Sequence, residues 1–284
     1  MAWAVPGLVF FFIFAVLPMA GVLYLSLTHW DGLTAPQFTG LSNWRRFASD
    51  GTVWQSTLVT GVLLLGNMVV QAPVSILLGT WSAGYQRNRA VLSAVFFLPL
   101  LLSTAATSIM WRQLLDPNFG VPSKLGWLLG GNTNLFGSQQ GAITCLILVT
   151  SWQYIPFHTL IYQGAVRAIP ETLYQAAAID GAGRVRQFFH ITLPQLRNAI
   201  ITSTTFMVVG GLTAFDIVLL LTDGGPGTDT AILPFKMYQT AFQTYDFGYG
   251  SVIASFLLLV ATGISLVLVK VSGYDKMTST MEGL

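Results

Sequence analysis

The sequence predicts an all-α, polytopic membrane protein with six transmembrane helices in a single domain spanning residues 1–284, and three observations predict it. First, 53% of the 284 residues are hydrophobic and only 8% are charged, whereas a soluble domain carries about 25%. So few charges cannot hydrate the surface of a globule of this length, which leaves the bilayer as solvent. Second, apolar runs of about 20 residues, the length of helix that crosses hydrocarbon, recur at 4–27, 53–80, 91–111, 141–162, 198–221 and 247–271. Third, the stretches between them are rich in Gly, Pro, Asn and Trp, the composition of turns and short interfacial helices.

The first run lacks a basic flank before it, is about twice as long as a signal-peptide core and shows no clear cleavage site, so it reads as a span. THWDGLTAPQFTGLSNWRRFASDG leads to the second run, which carries Asn67 and Gln71 beside Pro73. These two amides read as hydrogen-bonding neighbouring helices. The third run passes into RQLLDPNFGVPSKLGWLLGGNTNLFGSQQ. The fourth holds Thr150, Ser151, Gln153, Tyr154 and His158 around Pro156. The fifth holds Asp216 after Phe215, and TDGGPGTDTAILPFKMYQTAFQTYDFG joins it to the sixth. Both prolines bend their helices on this reading, and bends beside a pathway serve as hinges. No connecting stretch is long enough for a further domain.

Lys and Arg counts set the orientation. With both termini cytoplasmic, the inner side holds Arg87, Arg89, Arg167, Arg184, Arg186, Arg197, Lys270 and Lys276, eight against the outer five of Arg45, Arg46, Arg112, Lys124 and Lys236. The net charge of +2 gives no case for nucleic acid. Catalytic signatures are missing. No phosphate-binding loop is present, since GGPGTDT lacks the lysine. His29, His158 and His190 lie in separate segments, which argues against a metal site, and there is no nucleophile elbow. Cys145, the one cysteine, lies inside an apolar run and can form no internal disulfide. The chain is read as a non-enzyme with no catalytic residues and no cofactor of its own.

The loop over 164–197 is unlike the others. IPETLYQAAAIDGAGRVRQFFHITLP parses as two short helices. Pro170 and Glu171 suit a first turn, the helix runs to about Ile179, and Gly181 or Gly183 stops it. The second begins near Arg184, with Val185, Phe188 and Phe189 on one apolar face, and Pro194 breaks it. Ala176, Ala177 and Ala178 leave the first helix thin enough to enter a groove. A surface hairpin that only joins two spans is the plainer alternative.

Gln175-Ala176-Ala177, Asp180-Gly181-Ala182 and Ile191-Thr192-Leu193-Pro194 resemble, in content and spacing, the Glu-Ala-Ala (EAA) loop of permease subunits of binding-protein-dependent ABC importers. FTGLSNW before span 2, WQYIPF in span 4 and LLLTDGGPGTDT after span 5 are similar to segments of the maltose-type carbohydrate permeases. The first outer loop, with WDG and FTGLSNW, resembles that of the first permease of a pair. The resemblance implies that 164–197 is a cytoplasmic coupling-helix loop. Gln175, Ala176, Ala177, Asp180, Gly181, Ala182, Leu193 and Pro194 would dock in a cleft of a separate ATPase subunit. Gln175 stands where the pattern has glutamate, so an ion pair there would become a neutral hydrogen bond.

The resemblance also implies a second permease chain, two ATPase copies that bind ATP and Mg2+, and an extracytoplasmic binding protein that delivers a sugar. A bacterial or archaeal cytoplasmic membrane follows. Spans 4 and 5 would line a sugar site near the midplane through Thr150, Gln153, Tyr154, Phe157, Phe215 and Asp216. The residue types fit, because amides, hydroxyls and a carboxylate bond a sugar's edge while aromatic rings stack on its face. A carboxylate near the bilayer centre costs about 2.5–3.5 kcal/mol on insertion scales, so Asp216 should face a cavity or a partner. Glycerol-phosphate and polyol substrates stay open. So do an ion-coupled secondary transporter, which would need coupling carboxylates in two matching halves, and a non-transporting scaffold.

Overall fold

The computed structural model describes residues 4–84, 94–127 and 133–272. Arg87, Arg89 and Lys276, part of the 112–140 connection and the first three residues of the expected third span lie outside them. Helix α1, Val5–Leu25, passes through a π-turn at Phe12–Val16 and buries none of its side chains. Its later half packs against the last helix and the strand that follows α1. A two-residue hairpin follows, with β1, Thr28–His29, antiparallel to β2, Gln37–Phe38. Its loop is closed by Asp31, whose carboxylate accepts from the Leu33 and Thr34 amides and the Thr34 hydroxyl at 2.8–3.0 Å. Those bonds, led by the Thr34 amide, hold the carboxyl down at about 2.

Helix α2, Ser42–Ser49, lies across this end of the molecule, with Asn43 bonding the Ser26 and Thr28 carbonyls. Asp50 then caps α3, Gly51–Ser82, by accepting from the Thr52 amide at 2.9 Å. At 32 residues α3 is about 48 Å long, and it runs unbroken through Pro73. Its main partner is α5, Gln139–Arg167, which is likewise continuous through Pro156. The two approach closely because small residues face the contact. Ser75 donates to the Ile155 carbonyl at 3.3 Å, and Gly79 abuts Tyr162 and the Gln163 amide.

The expected third span is not one helix. Leu98–Leu101 makes a 3-10 turn around Pro99, the chain extends at Leu102, and α4 starts afresh at Thr104 and ends at Leu114, capped by Ser103. Proline withholds an amide and so cannot carry a helix through that point unaided. The fifth run is broken as well, into α8, Arg197–Leu212, and α9, Phe215–Leu221, bent by 50°. Gly210 and Gly211 precede the break, and such pairs are common kink sites.

Helix α10, Leu233–Tyr238, is capped by the Thr60 hydroxyl, and α11, Phe247–Ser272, ends the described chain. Three described helices, α1, α3 and α11 over Phe247–Leu268, are long and apolar enough to cross a membrane, and α8 with α9 makes a fourth if the bent pair is one span. Six uninterrupted apolar spans are not what the described residues form. Helix α5 has the length, but its amides and hydroxyls make it less apolar. The core has two parts. Val59, Leu63, Leu146, Val149, Val218 and Phe235 join α3, α5, α9 and α10, whereas Phe47, Val53, Tyr249, Val252 and Ile253 join α2, α3 and α11.

Candidate translocation cavity and coupling loop

Where α9 bends away from α8, a gap opens against α3, α4 and α5. The resulting cavity has a volume of about 380 Å3. Asn67 stands at the middle of α3 and Tyr154 at the middle of α5, so the cavity lies at mid-height of the two longest helices. Of the six side chains expected to form a sugar site, Thr150, Tyr154, Phe157, Phe215 and Asp216 line it. Phe157 meets Phe206 edge to face with ring centres 5.5 Å apart, and Phe215 leans on Tyr238 at 5.0 Å. Tyr154 shares a hydrogen bond with Thr104 at 3.1 Å, so its ring is held in place from α4.

Gln153 does not line the cavity. It is buried and donates to the Leu102 carbonyl at 3.1 Å, supporting the extended residue where α4's predecessor stops. Residues 153 and 154 point about 100° apart on a helix, and of the two only Tyr154 turns to this space. Asn67 and Gln71 are expected only to tie helices together; Asn67 does so through Ser151 of α5, whereas Gln71 bonds within its own helix. Gln71 donates to Asn67 at 3.2 Å and Ser151 to Asn67 at 3.4 Å, and both amides border the cavity. His158 borders it too, with Nδ1 bonded to Ser203 Oγ on α8 at 2.9 Å. Phe206 and the Gly210–Gly211 pair went unnoticed in sequence. The glycines were the available signal, a breaker inside an apolar run.

The loop that follows α5 folds as two short helices. Helix α6, Glu171–Ile179, begins one residue after Pro170 and is closed by Asp180 and Gly181. The Ala182 amide donates to the Ala177 carbonyl at 2.8 Å and the Gly181 amide to Ala178 at 3.0 Å, with Gly181 at φ +75°. This is a Schellman cap, and it explains why glycine follows Asp180. Gln175, Ala176 and Asp180 are exposed, and Ile179 is 87% exposed.

Helix α7, Arg184–Gln187, continues as a π-turn over Phe188–Thr192 and then through Leu193–Gln195. Pro194 therefore does not break it. The π-turn shifts the Leu193 amide onto the Phe188 carbonyl, and the helical path gives way only at Leu196, where ψ is 0°. Tyr174 and Thr192 share a hydrogen bond at 2.9 Å that ties α6 to this segment. Phe188 on the expected apolar face is partly covered, whereas Val185 and Phe189 stay exposed.

At this end Gln163 donates to the Ser82 carbonyl at 2.9 Å and Arg167 to the Ala83 carbonyl at 3.4 Å. The loop thus hangs from the joined ends of α3 and α5. Thirteen residue-to-residue steps of unbroken helix, about 20 Å, separate Tyr154 in the cavity from Arg167 at the loop.

Long apolar helices surround a mid-height cavity, and a capped, exposed helix pair stands at one end. The chain belongs to the binding-protein-dependent transport system inner membrane component family, whose model matches residues 1–272. It is 33% identical to a probable ABC transporter permease protein of Pyrococcus horikoshii over 270 residues, 92% of this chain and 91% of the relative. It is 30% identical to the multiple sugar-binding transport system permease protein of Streptococcus mutans, covering 92% and 90%. With the trehalose/maltose transport system permease protein of Thermococcus litoralis it shares 29%, covering 95% and 92%. Its fold matches a chain of a bacterial ABC transporter involved in the import of the acidic polysaccharide alginate, with a TM-score of 0.84 and 21% identity over 98% of this chain and 95% of that one.

Proposed function

We propose that this chain forms one side of the translocation pathway of an ATP-driven sugar importer, as the first permease of a pair. The mid-height cavity carries the reading. It combines amides, hydroxyls and a carboxylate with the rings of Phe157 and Phe215, the mixture that binds sugar edges and faces. Relatives named for sugar transport along nearly the whole chain support it.

The partners follow from the same reading: a second permease, two ATPase copies holding ATP and Mg2+, and an extracytoplasmic protein that delivers the sugar. Both termini face the cytoplasm of a bacterium or archaeon, and the six apolar runs cross its membrane with α4, α8 and α9 as parts of broken spans. The loop 164–197 is the coupling element. Gln175, Ala176, Ala177, Asp180, Gly181, Ala182, Leu193 and Pro194 form or brace the surface the ATPase grips. Its movement reaches the cavity along α5, whose close contact with α3 at Gly79 makes the two helices move together.

Capture of the chain from its native membrane in mild detergent tests this, together with uptake by the reconstituted assembly. Recovery with an ATPase and a second permease, and sugar uptake lost in Phe157→Ala, are expected. Recovery of the chain alone with ATP-independent, ion-driven uptake would overturn the reading in favour of a secondary transporter. Assembly with no solute uptake would leave a scaffold.

A further inference from the structure

The cavity carries charge of one sign. Asp216 lines it, and no lysine or arginine does among the described residues. Its other polar groups are amides and hydroxyls, among them Asn67, Gln71 and Thr150, while His158 is buried and engaged by Ser203. Asp216 occupies the first turn of α9, where free backbone amides would otherwise offer positive potential. Arg112 reaches α9 only at its far end, at the Leu220 carbonyl, 3.5 Å away.

An uncharged sugar can donate hydroxyl hydrogens to Asp216 and lay its apolar face on Phe157. An anionic one would bring a second negative group beside Asp216, with no lysine or arginine among this chain's described lining to offset it. The fold does not decide this preference, because it is shared with an importer of an acidic polysaccharide. The lining decides it.

We propose that the cavity takes uncharged sugars or polyols and, through the Asp216 carboxylate, turns away uronates, sulfonates and phosphate esters. The proposal rests on the reading of the cavity as the translocation site.

Cysteine accessibility in the assembled transporter tests the charge directly. Cys145, the chain's one cysteine, is buried and is replaced by alanine. A thiol is then placed in the lining by Thr150→Cys or, separately, Thr213→Cys. Reaction rates with the cationic trimethylammonium-ethyl and the anionic sulfonatoethyl methanethiosulfonates are read by mass spectrometry of this chain and normalised to a free thiol. The cationic reagent should be favoured by about tenfold or more, an energy of about 1.4 kcal/mol, and Asp216→Asn should bring the ratio to within about threefold of unity.

Equal rates, an anionic preference, or a ratio indifferent to Asp216→Asn would overturn the proposal. Silence of both thiols towards both reagents would mean that no solvent-open cavity exists and would overturn it as well. The ratio can hold while sugar uptake fails, or fail while uptake holds, so the charge proposal and the sugar reading are separately exposed.

Discussion

Tyr249 on α11 donates its hydroxyl to Asp50 at 2.7 Å, joining residues 199 positions apart in the chain. The same Asp50 caps α3. Arg46 completes the group. Its guanidinium lies 3.9 Å from the centre of the Tyr249 ring and pairs with Asp246 at 2.7 Å, while Asp246 also accepts from the Tyr249 amide. One aromatic residue thus fastens α2, α3 and α11 at the end opposite the loop over 164–197.

Removing that hydroxyl alone is a clean probe. Tyr249→Phe should lower the melting temperature of the purified chain, with about 1.5–3 kcal/mol lost for a hydrogen bond to a charged group. Burial by itself raises the Asp50 carboxyl, but the bonds from Tyr249 and Thr52 outweigh it and hold the group below its ordinary value. A depressed carboxyl contributes stability that is fully present above its unfolded value of about 3.9 and is lost as pH falls through the folded value. Wild type should therefore lose stability on acidification below about pH 4, and the Tyr249→Phe protein should show a shallower loss. Parallel acid-side slopes in thermal scans would refute the pairing.

Gly181 offers a graded test of the coupling role proposed for the loop over 164–197. A Cβ there would meet no neighbour, so the cost of substitution comes from the backbone at φ +75°. Gly181→Asn should be tolerated, and Gly181→Val should cost about 1–2 kcal/mol and unwind the end of α6. Gly181→Asp, which also adds charge to the proposed docking face, should leave ATP hydrolysis running while uptake falls. Unchanged uptake per ATP in that variant would count against the docking role.

Neighbours on α5 should separate cleanly in their effects. Gln153→Ala removes the bond to Leu102 and should lower thermal stability by about 1–3 kcal/mol, with the KM for the transported sugar unchanged. Phe157→Leu keeps the bulk but loses the aromatic face, and should raise KM by about tenfold, or 1.4 kcal/mol. Uptake kinetics beside melting curves read both, and a KM effect of Gln153→Ala equal to that of Phe157→Leu would contradict their placement.

Much of this was legible in the residues, for identifiable reasons. α1, α3 and α11 each hold a long stretch of high mean hydropathy, and composition alone finds such helices. The end of α6 was legible because Asp-Gly-Ala is a local cap that needs no tertiary partner. Gln153 was not, since a polar residue in an apolar run can turn to a pathway or to a neighbour's backbone, and only the position of Leu102 chooses between them. Pro194 misled because its usual effect assumes α-register, and the π-turn before it removes that premise. The breaks at Leu102 and at Thr213–Ala214 were hidden by apolar runs that continue across them, although Pro99 and Gly210–Gly211 marked both places.

The contact of α3 with α5 sets the most demanding expectation. A Cβ at Gly79 would lie 2.6 Å from the Tyr162 Cβ and 3.1 Å from the Gln163 amide nitrogen, neither of which is a flexible side-chain end. Gly79→Val must therefore push the helices apart, at a cost of about 1–3 kcal/mol or more for an overpacked contact. Separation would also strain the Gln163 bond to Ser82 at 2.9 Å, just beyond Gly79 and close to the 164–197 loop. If α5 and α3 carry loop movement to the cavity as one body, Gly79→Val should reduce uptake per ATP hydrolysed even at temperatures where the protein stays folded. Gly164→Ala on α5, where a Cβ meets nothing, should change neither quantity. A Gly79→Val transporter with reduced melting temperature but wild-type uptake per ATP would show that the contact only stabilises the fold.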